Sequence, residues 1–181
     1  PALTELWLDA PALTDRGVAS LAALPLKTLG LRAPAIDGSG FAAFPRSSAR
    51  QILLIGCDRP SSEGLRALGA AAPSVTLVEC SLSAANIRSL REGGASAELG
   101  LLRCDVAPSW SAALAALQGP SAPRKLGLSV DDRFRAADLA VLAGSAPLER
   151  VEILAPHGHL SLDLLRQVLP DVAIDLNGVP Q

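Results

Sequence analysis

Two apolar residues separated by a single position recur along this chain. They are Leu6/Leu8, Leu29/Leu31, Ile52/Leu54, Val75/Leu77, Leu99/Leu101, Leu126/Leu128, Val151/Ile153 and Ile174/Leu176. The steps between first members are 23, 23, 23, 24, 27, 25 and 23 residues. A unit this short cannot bury its own apolar face, so it must stack on neighbours of the same kind. Each pair reads as a short strand whose alternate side chains share one face. A further apolar residue often stands three positions earlier, as at Leu3, Leu26, Ala49, Ala72 and Leu148.

The second half of each unit changes period. Leu13 is followed by Thr14-Asp15-Arg16-Gly17 and then by Val18, Leu21 and Leu24 at helical spacing. The same frame places Leu82, Ser83-Ala84-Ala85-Asn86, Ile87 and Leu90 after Leu77. Thr14, Ser61, Ser83, Ser109 and Ser161 stand where a hydroxyl can accept an orphan N–H at a helix start. Pro25, Pro45, Pro73, Pro120, Pro147 and Pro170 follow and stop the helices. The expected unit is therefore strand, turn, short helix, proline, next strand.

The chain resembles the leucine-rich repeat family over essentially its whole length. The signature L-x-x-L-x-L-x-x-N/C-x-L is met best by Ala72–Leu82, with Cys80 at the N/C position, and by Leu3–Leu13, with Pro11 there. The LTDRGVASLAALP segment from Leu13 is similar to bacterial repeats of the ribonuclease-inhibitor or GALA type. The resemblance implies an α/β horseshoe of about eight repeats, with a parallel sheet on the concave side and short helices on the convex side. The pattern departs from the family at Gly158–Leu160 and around the sixth repeat, and the usual capping units are missing at both ends.

The expectation is one repeat domain spanning 1–181. A chain that opens on Pro1 and holds no Met reads as a fragment of a longer protein. With 49% hydrophobic and 19% charged residues, disorder is excluded. The longest uncharged run, Val106–Pro123, carries three prolines and a glutamine, so it cannot span a membrane as a helix. The basic residues are nearly all arginine, the exceptions being Lys27 and Lys125, which points to a GC-rich source genome.

Candidate chemistry is sparse. Cys57, Cys80 and Cys104 are 23 and 24 residues apart, which fits no C-x-x-C metal motif. Each lies three residues after the second strand residue of its unit, so the repeat accounts for them as inward structural thiols. Such thiols fit the reducing cytoplasm, and a secreted effector is the alternative. His157 and His159 stand two apart in a turn, with Asp163 the nearest further ligand, which is too few for a metal centre. No serine sits in a G-x-S-x-G turn, Asp131-Asp132-Arg133 reads as a solvated turn, and Gly93-Gly94 lacks the Lys and Ser/Thr of a phosphate loop. The chain is read as non-enzymatic, with no cofactor.

The strand positions that flank the inward leucines are more informative. One outward row is Trp7, Gly30, Leu53, Thr76, Gly100, Gly127, Glu152 and Asp175, and the next begins Asp9, Arg32, Ile55, Val78, Leu102. Leu53, Ile55, Val78 and Leu102 place an apolar patch where solvent is expected, as interfaces do. The expected function is a protein-binding scaffold that uses this face, with Trp7 and Arg32 at its rim. The alternative is the substrate-recruiting arm of a larger ligase-like or effector enzyme whose catalytic part lies outside this chain. A third outward row is Glu5, Thr28, Gln51, Ser74, Glu98, Lys125, Arg150 and Ala173. With a net charge of −2, 3% aromatic residues and only Arg32, Lys125 and Arg150 basic in the three rows, no nucleic-acid partner is expected.

Overall fold

The fold was read from a computed structural model, which describes residues 2–95, 97–119, 121–144, 147–156 and 160–178. Eight five- or four-residue strands form one parallel sheet in chain order. They are β1 (Glu5–Asp9), β2 (Thr28–Arg32), β3 (Gln51–Ile55), β4 (Ser74–Val78), β6 (Glu98–Leu102), β8 (Lys125–Ser129), β9 (Arg150–Leu154) and β10 (Ala173–Leu176). The three-residue strands β5 (Ser81–Ser83) and β7 (Asp105–Ala107) pair in parallel as a second ladder. The chain is thus α/β with a parallel sheet, an arrangement compatible with a solenoid.

The ladder register aligns the sequence pattern. Leu6, Leu29, Ile52, Val75, Leu99, Leu126, Val151 and Ile174 form one lateral row across the sheet. Burial follows alternation in the middle of the sheet except at Val78 and Gly100, which are buried out of phase. Ile52, Leu54, Val75, Leu77, Leu99 and Leu101 are each no more than 1% exposed, as the strand reading expects. At the β1 edge the row has no neighbour on one side, and Leu6 and Leu8 are only half-buried.

Every connection between successive strands of the large sheet contains a helical segment. Five are α-helices: α1 (Asp15–Leu21), α2 (Ser62–Ala71), α3 (Ala84–Gly93), α4 (Trp110–Ala115) and α5 (Leu162–Val168). Two are tighter 3-10 turns, Ser39–Ala43 and Ala136–Leu142. Thr14, Ser61, Ser83 and Ser109 accept from the N–H three residues on, and Asn86 completes a capping box with Ser83. Ser161 occupies the N-cap position, but its hydroxyl makes no cap bond.

Two tertiary devices hold neighbouring helical segments together. The Asp15 carboxylate accepts from the backbone N–H groups of Asp37, Gly38 and Gly40 at 3.0, 3.1 and 2.9 Å. It thereby satisfies donors just before and within the first turn of the next helical segment, while the Ser39 N–H donates to Asp37 Oδ1. The second device is glycine at the closest helix contacts. A Cβ at Gly93 would lie 2.1 Å from the Arg66 carbonyl oxygen, and one at Gly69 2.2 Å from that of Leu90.

The three cysteines enter the core through a local break in alternation. Gly56, Glu79 and Arg103, the residues just before them, adopt left-handed backbone with φ of 72°, 55° and 52°. A strictly extended strand would turn the following side chain outward. The left-handed residue reverses this, and Cys57, Cys80 and Cys104 are buried.

Candidate functional site

The helices cover one face of the large sheet. No described residue forms a second layer on the other, although parallel sheets are usually covered on both faces. That open face carries the two rows singled out in the sequence. Leu53, Ile55 and Leu102 are half-buried there, as is Thr76, while Trp7 is 60% exposed. Val78 departs from the expected exposure and is buried, at 8%. The register places it between Ile55 and Leu102 on the adjacent strands, so two large apolar neighbours cover its flanks.

Two concavities lie on this face. The first, of about 420 Å³, runs along the strand ends and is bounded by Trp7, Arg32, Ile55, Val78, Glu79 and Arg103. Trp7 reaches across the sheet because Gly30, its register partner, has no side chain. A Cβ at Gly30 would lie 2.1 Å from the indole ring. Arg32 pairs with Asp9 at 4.0 Å and Glu79 at 3.5 Å, and Arg103 pairs with Glu79 at 2.9 Å. All four side chains are well exposed, so these pairs add little stability. They place a charged rim beside apolar Trp7, Ile55 and Val78. The structure therefore brings Trp7, Arg32, Ile55 and Val78 to one groove, with Leu53 and Leu102 beside it.

The second concavity, of about 330 Å³, is floored by Gly127 and bounded by Leu102, Leu154, Arg150, Glu152 and Asp175. Arg150 Nε donates to Asp175 Oδ2 at 2.7 Å and lies 3.2 Å from Glu152 Oε1, and the Arg150 guanidinium also pairs with Asp175 through Nη2. The Arg150 side chain helps bury Asp175, which is only 8% exposed although it stands in an outward row. The sequence rows place Glu152 beside Asp175 but do not show that Arg150 closes over both.

Other sequence candidates resolve differently. Gly94 ends α3 with φ of 119°, the left-handed cap common at helix C-termini, and forms no phosphate loop. The Asp131 turn is more than a solvated loop. Asp131 accepts from Trp110 Nε1 at 3.3 Å, from the Arg133 backbone N–H at 3.1 Å and from Arg133 Nε at 2.7 Å. Partial burial pushes its carboxyl up, but these hydrogen bonds outweigh it and hold the group below the usual carboxylate range. His157 and His159 lie outside the described residues, and Asp163 is exposed on α5. Among the described residues no group of three or more His, Cys, Asp or Glu is placed to hold a metal ion.

The cysteine thiols are free and make contacts to backbone carbonyls. Cys57 donates to Ile36 O at 3.0 Å, Cys80 to Val78 O at 3.3 Å and Cys104 to Leu77 O at 3.4 Å. Burial pushes Cys57 up to about 12. Cys104 is pushed up by its hydrogen bond to Cys80 and then by burial; the same bond works the opposite way on Cys80, against burial. Thiolates are the reactive form; Cys57 and Cys104 are held as thiols, and Cys80, whose net shift is downward, is only 1% exposed, so native labelling is expected to be slow. Titration with a thiol-reactive dye should give three thiols in guanidinium and slow, incomplete reaction in the native protein. Fast and complete native labelling would contradict this placement.

Fold and site together define an α/β protein with a parallel sheet, covered by helices on one face and open on the other. No family model matches the chain, and no curated protein is detectably similar to it. No helix among the described residues is long and apolar enough to cross a membrane.

Proposed function

We propose that this chain is a leucine-rich repeat scaffold that binds a protein partner on the open face of its sheet. One observation carries the reading. A parallel sheet left open on one face presents apolar Trp7, Leu53, Ile55 and Leu102 among charged Asp9, Arg32, Glu79 and Arg103. An apolar centre inside a polar rim is the usual anatomy of a protein interface. The even lateral rows and the helical connections support the repeat part of the proposal.

The test is the double variant Ile55→Asp/Leu102→Asp. Both side chains are half-buried on the open face and neither belongs to the helix-facing rows. The variant is expected to lose partners captured by the native chain from a lysate of the source cells, while the circular dichroism spectrum and melting temperature stay close to native. Capture of the same partners by the folded variant would reject the face. Unfolding would show that the two residues are core.

A further inference from the structure

We infer that the concavity floored by Gly127 is a slot for an arginine side chain of the bound partner; this rests on the open face being the binding face. Three observations converge on that chemistry. The first is the floor. On this face Trp7 lies against Gly30 and Thr76 against Gly100, where added Cβ atoms would meet them at 2.1 and 2.8 Å. Gly127 has no such cover, and a Cβ there would meet only the Gly100 Cα, at 3.8 Å. Bare backbone of this kind accepts a flat group, and the indole over Gly30 shows the mode within the same molecule.

The second observation is charge. Glu152 and Asp175 share the single guanidinium of Arg150, which leaves one negative charge in the concavity. Along the sheet Lys125 stands between Arg150 and Glu98 in the register, so one further positive and one further negative charge flank the concavity and leave that balance unchanged. Glu152 is 59% exposed, so its carboxylate is accessible to a second cation. The third observation is the wall. Leu102 and Leu154 bound the concavity, and Leu154 is 50% exposed. An apolar wall beside a carboxylate suits a side chain with an aliphatic stem and a charged end. Arginine alone among the side chains combines a planar cation with such a stem, and its fork matches a carboxylate.

The experiment titrates isotope-labelled protein with N-acetyl-arginine N-methylamide and follows backbone amide shifts. Saturable shifts at Gly127, Glu152 and Leu154 are expected. The citrulline analogue, equal in shape but uncharged, should bind at least about tenfold more weakly, the scale of losing a charged hydrogen bond. Gly127→Val should abolish the shifts at an unchanged melting temperature, since the site is open and strands favour β-branched residues. Glu152→Gln, at an exposed position, should weaken binding whatever the fate of the valine variant. Equal binding of the citrulline analogue overturns the cationic assignment. Tighter binding of N-acetyl-tryptophan N-methylamide at the same amides also overturns it while leaving the face intact. Arginine shifts that map elsewhere, survive in the folded Gly127→Val protein, or fail to appear overturn the slot. The face itself is judged separately, by partner capture with Ile55→Asp/Leu102→Asp.

Discussion

Leu77→Ala is expected to destabilise the protein by about 2–5 kcal/mol, the range for emptying a well-packed core position. Leu77 is 1% exposed, pairs laterally with Leu54 and Leu101, and sits in the middle of the eight-stranded sheet. Strands on both sides hold the backbone, so the site cannot collapse around the missing atoms. Leu53→Ala is the matched control. It removes the same atoms from the open face, where the side chain is only half-buried, and should cost clearly less. Denaturant unfolding of both variants measures the difference. A loss below about 1 kcal/mol at Leu77, with the larger loss at Leu53, would mean that the helix-facing and open faces have been exchanged, because a one-residue slip reverses every side chain.

Gly69→Ala is expected to destabilise the fold even though alanine is the better helix former. Propensity alone favours the substitution by about 1 kcal/mol within α2. The new methyl would lie 2.2 Å from the Leu90 carbonyl oxygen, which belongs to α3. Backbone cannot rotate away as a side chain can, so α2 and α3 must separate along their contact. Overpacking of this kind costs about 1–3 kcal/mol or more and exceeds the propensity gain. Gly17→Ala in α1 reverses the balance. Its Cβ would meet the Leu13 Cδ1 at 2.7 Å, the far end of a flexible side chain, so the outcome should be neutral to stabilising. Thermal melts of the two variants test the argument. A stabilised Gly69→Ala would show that the helices do not approach as closely as described.

The strands, their inward faces and four of the five proposed N-caps were legible because each depends on residues close in the chain. The period-2 pairs specify which side of β3, β4 and β6 is apolar, and Ile52, Val75 and Leu99 are buried accordingly. Ser61 meets its acceptor role through Gly64, three residues on. The cysteines were legible by the same logic, although the left-handed residues that turn them inward were not. Glu79 and Arg103 carry no sequence mark of that conformation, which glycine normally takes.

What the amino-acid sequence determined by itself is the alternation along each strand, the helical stretch that follows and the spacing that repeats them. These arise from steric and hydrogen-bonding preferences acting over a few residues. Tertiary structure decided everything that depends on lateral neighbours. Val78 is buried because Ile55 and Leu102 align beside it. Asp15 serves as an acceptor because it meets N–H groups 22 to 25 residues away. Asp175 is closed off because Arg150, 25 residues earlier, reaches it from the next strand. The physical reason is that the length and packing of each helical connection set which residues of successive units lie side by side. Interactions across that distance cannot be read until the connection has folded.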